Sequence, residues 1–208
     1  MAEIKLLNKY LVNGFLTVIE PLAKLLINLK IHPHGVTYAG LGFSILSAFF
    51  FMQGRFFYAG IMVILAGICD VLDGRLARET KKVSKFGALF DSSIDRYSEV
   101  LIFLGLSTYF LMRGSYMVLV IILAIAGSFM VSYTRARAEG LGIECKVGIM
   151  QRQERITYLA AGAILGSIPG TNNFFLVLSL WIIAIFANIT VIQRIIYIKK
   201  RLDEAQGI

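Results

Sequence analysis

Six apolar stretches, near 36–53, 56–74, 88–112, 115–134, 155–171 and 174–198, dominate this sequence, and only short polar connections separate them. Crossing a hydrocarbon core of roughly 30 Å takes about 20 helical residues, because lipid offers no partner for an unpaired backbone group. The expected fold is therefore an all-α integral membrane protein with six transmembrane helices, forming a single membrane domain over residues 1–208. Composition agrees: 57% of the 208 residues are hydrophobic and 16% charged, where soluble globules average about 45–50% apolar and about 25% charged. The same figures exclude a disordered chain, a collagen, a coiled coil and a disulfide-stapled secreted scaffold. Cys69 and Cys145, one in an apolar run and one in a polar stretch, imply neither a bridge nor a metal knuckle.

The first segment, over 2–30, reads as an amphipathic helix lying in the membrane interface. Ile4, Leu7, Leu11, Phe15, Val18 and Leu22 recur at three- and four-residue steps, with Lys5, Asn8, Lys9 and Asn13 off that stripe. Lysines interrupt its apolar residues and no small-residue cleavage site follows, so no secretory signal is expected. Pro21 and Pro33 punctuate the segment. Basic residues then orient the spans. Those after the second span (Arg75, Arg78, Lys81, Lys82, Lys85), after the fourth (Arg135, Arg137, Lys146, Arg152, Arg155) and near the C-terminus (Arg194, Lys199, Lys200, Arg201) lie on one side, against only Arg55 and Arg113 opposite. The positive-inside rule places that side, both termini included, in the cytoplasm, with the chain in the cell membrane. A net charge of +8 on such a chain suits anionic lipid or phosphate, and nucleic acid is not an expected partner.

Four aspartates stand at the cytoplasmic ends of spans two and three. Asp70 and Asp73 are three apart and Asp91 and Asp95 four apart, so each pair shares one helix face. Like charges at these spacings repel, and a carboxylate at membrane depth is costly unless paired, so the set calls for a cation. An all-oxygen ligand set suits magnesium, manganese or calcium and argues against zinc. An ion pathway would instead need polar groups through the whole bilayer, whereas acidic residues stop one turn beyond Asp95, at Glu99. Gly74 and Gly87 beside the acids would let a helix or a phosphate approach closely.

Asp70, Asp73, Gly74, Ala77, Arg78, Gly87, Asp91 and Asp95 reproduce the motif D-x2-D-G-x2-A-R-x8-G-x3-D-x3-D. In this the chain resembles the CDP-alcohol phosphotransferases, and the six-span layout with its interfacial helix is similar too. The resemblance implies attack of an alcohol on the phosphorus of a CDP-linked lipid, CDP-diacylglycerol or CDP-archaeol, with release of CMP. It implies two divalent cations, Mg2+ or Mn2+, with Asp70 and Asp91 bridging them, Asp73 completing one site, and Asp95 on the other as general base. By the same resemblance His34, Gly35, Val36, Thr37, Asp70, Gly74, Ala77, Arg78, Ser84 and Gly87 would bind the CDP-lipid. Ser84 stands where relatives often have Thr, and His34 where many have Asn or Asp.

A second basic cluster bears on the alcohol. Ser132, Arg135 and Arg137 end span four and Arg155 opens span five, near the expected aspartates, and guanidiniums so placed suit a phosphate on the acceptor. Ser132 to Glu139, Val147-Gly148-Ile149 and Glu154-Arg155 are similar to the phosphatidylinositol-phosphate synthases, as is the flank from Asp91 to Arg96. Arg135 replaces a Lys common in that group, and Arg152 and Gln153 lie in an otherwise similar loop. That resemblance implies that Ser132, Arg135, Arg137, Arg155 and Arg194 bind the phosphate of myo-inositol 1-phosphate. Glycerol 3-phosphate is the alternative acceptor, a divalent-cation transporter the remote alternative, and a homodimer the family's expected assembly.

Overall fold

A computed structural model of the chain describes residues 9–206; the first residues of the predicted interfacial stripe, Ile4 and Leu7, lie outside them. Seven helices follow one another: α1 (Lys9–Asn28), α2 (Pro33–Met52), α3 (Phe56–Glu79), α4 (Lys85–Leu111), α5 (Met117–Gly140), α6 (Arg152–Gly166) and α7 (Phe174–Gln206). Helix α1 runs through Pro21, whereas Pro33 opens α2 at a position where a missing N–H is harmless.

Helices α2 to α7 close into a ring in which α2 packs on α3 and α4, α6 on α3 and α7, and α5 on α4 and α7. Helix α1 lies outside the ring against α3, burying Ile19 and Ala23, while Glu20 and Lys24 form an exposed ion pair of 2.8 Å. The ring's interior is apolar, with Phe51, Phe103, Leu106, Ile121 and Leu180 almost wholly buried. Its exterior is apolar as well: Leu104, Leu119, Ile122, Leu123, Trp181 and Ile185 point outward and exposed. A surface this greasy on all sides belongs in lipid. The chain is an α-helical, multi-pass membrane protein.

Among the described residues, α2, α3, α5 and α7 are long and apolar enough to cross a bilayer by themselves. The two remaining expected spans differ for physical reasons. Helix α4 carries Asp91, Asp95, Arg96 and Glu99 between its second turn and its middle, and α6, at 15 residues, reaches only about 22 Å. Those two helices give their lengths and their charges to the site described below.

Small residues set the spacing of the ring, because helices in lipid associate by close backbone approach. A Cβ on Gly105 of α4 would stand 2.3 Å from the carbonyl oxygen of Ala48 on α2. Gly105→Ala is therefore expected to push α2 and α4 apart at a cost of about 1–3 kcal/mol, read as a lowered melting temperature in detergent. An unchanged melting temperature would show that the two helices do not meet at this point.

Candidate active site

The end of the ring that carries the site is fixed by two helix termini. Helix α3 closes with Lys81 in the left-handed region, at φ 56°, while the Lys82 N–H bonds the Ala77 carbonyl at 2.9 Å. This hydrogen-bonded C-terminal turn reverses the chain. Ser84 then caps α4, its hydroxyl oxygen accepting from the Gly87 N–H at 2.9 Å. The short link between them returns α4 beside α2, so that the two halves of the aspartate motif face one another. Helices α2, α4 and α6 begin at this end, and the positive ends of their dipoles favour anions there.

Asp70, Asp91 and Asp95 each present a carboxylate oxygen, and these oxygens all lie within 4.8 Å of one another. One oxygen of Asp91, Oδ1, is buried with no hydrogen-bond partner. A buried carboxylate oxygen without a donor is strongly unfavourable unless a cation completes it. The residues therefore fit a hard divalent ion, which Asp70, Asp91 and Asp95 would hold. Asp73, one turn along α3 from Asp70 and lining the same cavity, is 4% exposed, and its Oδ2 accepts a hydrogen bond of 2.7 Å from the Thr37 hydroxyl. That bond ties the first turn of α2 to α3.

Arg152, the first residue of α6, reaches into the same cluster. Its Nη1 donates to Asp70 Oδ1 at 2.8 Å and also pairs with Asp95 Oδ2. Arg96 stands on the other side of Asp95, with 3.8 Å between Nη2 and Oδ2, and donates from Nη1 to the Ser132 hydroxyl. One turn deeper, Glu99 takes both Nε and Nη2 of Arg155, at 2.8 and 3.2 Å. A cavity between α2, α3, α4 and α6 joins these groups, polar at Thr37, Asp70, Asp95 and Arg152 and apolar at Val63, Phe103 and Leu159. Such an amphipathic hollow suits a ligand with a charged head and a greasy body.

The expected nucleotide residues lie at the start of α2, at the end of α3 and at the start of α4. The His34 ring packs edge-on to Phe90, with centroids 4.9 Å apart, and a Cβ on Gly87 would lie 3.7 Å from the same ring. Gly35 is exposed on the first turn of α2, Val36 and Thr37 are buried there, and Ala77 is half-buried near the end of α3. A Cβ on Gly74 would lie 3.5 Å from the Arg78 guanidinium, whose residue is exposed. Thus the two glycines of the motif leave room beside the His34 ring and the Arg78 guanidinium.

The expected acceptor residues are placed less uniformly. Ser132 joins the site through Arg96, and Arg155 through Glu99. Arg194 is 3% exposed and donates to the backbone carbonyls of Val147 and Val131, so it fastens the loop between α5 and α6 to α5 and α7. Arg135 pairs with Glu139 on the exposed end of α5, and Arg137 is exposed beside it. Sequence reasoning gave no role to Arg152, Arg96 or Glu99 in this site. Arg152 lies 82 positions from Asp70, and no local pattern announces a contact of that range.

Against known proteins, residues 30–196 match the family model of the CDP-alcohol phosphatidyltransferases. The chain belongs to the CDP-alcohol phosphatidyltransferase family. It is accordingly a metal-dependent CDP-alcohol phosphotransferase. Similar relatives include the phosphatidylinositol phosphate synthase of Streptomyces avermitilis, 34% identical over 97% of this chain and 86% of that one. The archaetidylinositol phosphate synthase of Pyrococcus horikoshii is 36% identical over 89% and 93% of the two chains. Among solved structures, phosphatidylinositol phosphate synthase of Mycobacterium tuberculosis with CDP-DAG bound superposes with a TM-score of 0.77 at 31% identity, covering 86% of this chain and 92% of that one. The same protein is known in complex with manganese and citrate, with a TM-score of 0.76 at 29% identity.

Proposed function

We propose that this phosphotransferase moves the phosphatidyl group of CDP-diacylglycerol, or its archaeol counterpart, to myo-inositol 1-phosphate, giving phosphatidylinositol phosphate and CMP. The observation that carries the reading is the three-carboxylate cluster at the polar mouth of an amphipathic cavity, with guanidiniums from α4 and α6 around it. The names of the relatives support the acceptor.

The residues divide the work. The diphosphate of the donor lies at the aspartate cluster, its nucleotide held by His34 to Thr37, Asp70, Gly74, Ala77, Arg78, Ser84 and Gly87, and its acyl chains leave along the apolar part of the cavity. The hydroxyl of the acceptor attacks the lipid phosphorus; the bond to the CMP oxygen breaks, a phosphodiester forms, and Asp95 takes the hydroxyl proton. Asp70, Asp73, Asp91 and Asp95 would hold the two divalent cations, Mg2+ or Mn2+, whose charge would offset that of the attacking and departing oxygens. Ser132, Arg135, Arg137, Arg155 and Arg194 hold the acceptor phosphate, for which the planar guanidinium fork is suited.

The same reading treats α2 to α7 as six spans of one membrane domain over residues 1–208, with α4 and α6 completed across the bilayer by their neighbours. Helix α1 lies in the interface. Both termini and the active site face the cytoplasm in the cell membrane, and two copies form a homodimer.

The test is CMP release by purified protein in detergent with CDP-diacylglycerol and Mg2+, comparing inositol 1-phosphate, glycerol 3-phosphate, inositol and serine, with a chelator control. Chelator-sensitive turnover selective for inositol 1-phosphate is expected. Turnover with glycerol 3-phosphate alone would keep the mechanism and replace the acceptor. No turnover with either CDP-diacylglycerol or CDP-archaeol would overturn the reading and leave cation transport as the reading to test.

A further inference from the structure

The first charged group on α6 occupies the position where a metal is needed. Arg152 bridges Asp70 and Asp95, two of the three carboxylates that form the cluster. The arrangement answers an electrostatic problem: three carboxylates within 4.8 Å of one another repel strongly in a low-dielectric cavity, and a cation among them removes most of that cost. A guanidinium and a divalent ion satisfy the same oxygens. The two cations compete for Asp95 Oδ2 and Asp70 Oδ1.

We propose that Arg152 is the internal counter-ion of the metal centre and sets its metal affinity: in the metal-free protein it neutralises Asp70 and Asp95, and a divalent cation binds only by displacing it. The inference rests on the phosphotransferase reading of the aspartate cluster. Three features of the structure support it. Among the described residues the Arg152 guanidinium contacts the carboxylates of Asp70 and Asp95 and no backbone carbonyl, so its release gives up only contacts to oxygens that a metal would take over. Its neighbour Arg155, by contrast, is fixed by a two-point contact with Glu99 and by the Met150 carbonyl at 3.4 Å. Arg152 is also at the very start of α6, after a loop that begins at Leu141, and it borders the cavity. A side chain at a helix end, beside open space, can turn away without moving the helix.

The consequence is a linkage between metal and stability. Whatever binds one state of the centre stabilises that state in proportion to its affinity. With Arg152 in place, metal binding exchanges one cation for another. Without it, metal binding relieves uncompensated repulsion. Arg152→Gln is therefore expected to bind Mn2+ roughly tenfold more tightly than the wild type, since a competing charge at contact distance has gone. Its melting temperature should fall in chelator and return to the wild-type value at saturating Mn2+. Arg152→Lys, a single point charge unable to span two carboxylates so well, should lie between the two.

Mn2+ binding to the purified full chain, followed by electron paramagnetic resonance of the free ion, measures the affinity directly, with melting curves in chelator and in excess Mn2+ alongside. Equal Mn2+ affinity of wild type, Arg152→Gln and Arg152→Lys, or weaker binding by the variants, would overturn the counter-ion role alone. Equal destabilisation with and without Mn2+ would also overturn it, because a purely structural arginine behaves in that way. If Arg152→Gln does not fold, Arg152→Lys carries the same comparison. Failure of the wild type itself to bind Mn2+ would overturn the reading of the aspartate cluster and this inference with it.

Discussion

Replacing Asp95 by asparagine is expected to lower CMP release by about 10²–10⁴-fold at saturating metal, the range over which a positioned general base contributes. The substitution is nearly isosteric, so the fold should survive, but the amide nitrogen cannot take a proton and carries no charge. Asp95 is placed for the role: it borders the cavity, its Oδ2 faces Arg152, and Arg96 stands 3.8 Å from it. Asp95 also belongs to the carboxylate cluster, so the variant should bind Mn2+ more weakly. Turnover must for that reason be measured across a metal titration and compared at its plateau. Loss at the plateau assigns the proton; loss that excess metal restores would reduce Asp95 to a ligand. Turnover near the wild-type level without added metal would remove it from the mechanism altogether.

The sequence made Asp95 visible because its spacing with Asp70 and Asp91 is local within two helices and the helices are joined by a short turn. Periodicity and turn chemistry operate at that range. Helices α2, α3, α5 and α7 were legible for the same reason, since each carries its own apolar run. Helices α4 and α6 were legible as helical stretches, but their lengths and charges reflect the site they build. What the sequence could not reveal is the ring's closure. Arg152 meets Asp70 across 82 positions, Arg155 meets Glu99 across 56, and Arg96 meets Ser132 across 36. Each contact depends on which helix faces lie inward, and that is settled by small-residue contacts such as Gly105 on Ala48 and Gly162 on Ser179. Glu99 looked like the point where acidic residues ended; it is the partner that holds Arg155.

Breaking the Glu99 and Arg155 pair is expected to have the largest effect on stability. Arg155 is 2% exposed and Glu99 13%, so removing either leaves the other charge buried without its hydrogen-bonded partner, at a cost of up to about 3–5 kcal/mol. Arg155→Met should therefore melt far below the wild type. Glu99→Met should do the same, while the double replacement, which buries no charge, should recover much of the loss. If the double variant is as unstable as the sum of the singles, the pair contributes no coupling and the two residues act separately. The same set of variants separates stability from binding. Arg155 has five N–H donors; Glu99 takes one from Nε and one from Nη2, and Met150 takes one from Nη1. Two N–H groups remain, one on each terminal nitrogen, and Glu99 fixes the direction in which they point. A phosphate-binding role for Arg155 thus predicts that the double variant, though folded, retains a raised KM for the phosphorylated alcohol with an unchanged KM for the CDP-lipid. A double variant with both KM values at the wild-type level would leave Arg155 as a structural partner of Glu99 and shift the acceptor phosphate toward Arg96 and Ser132.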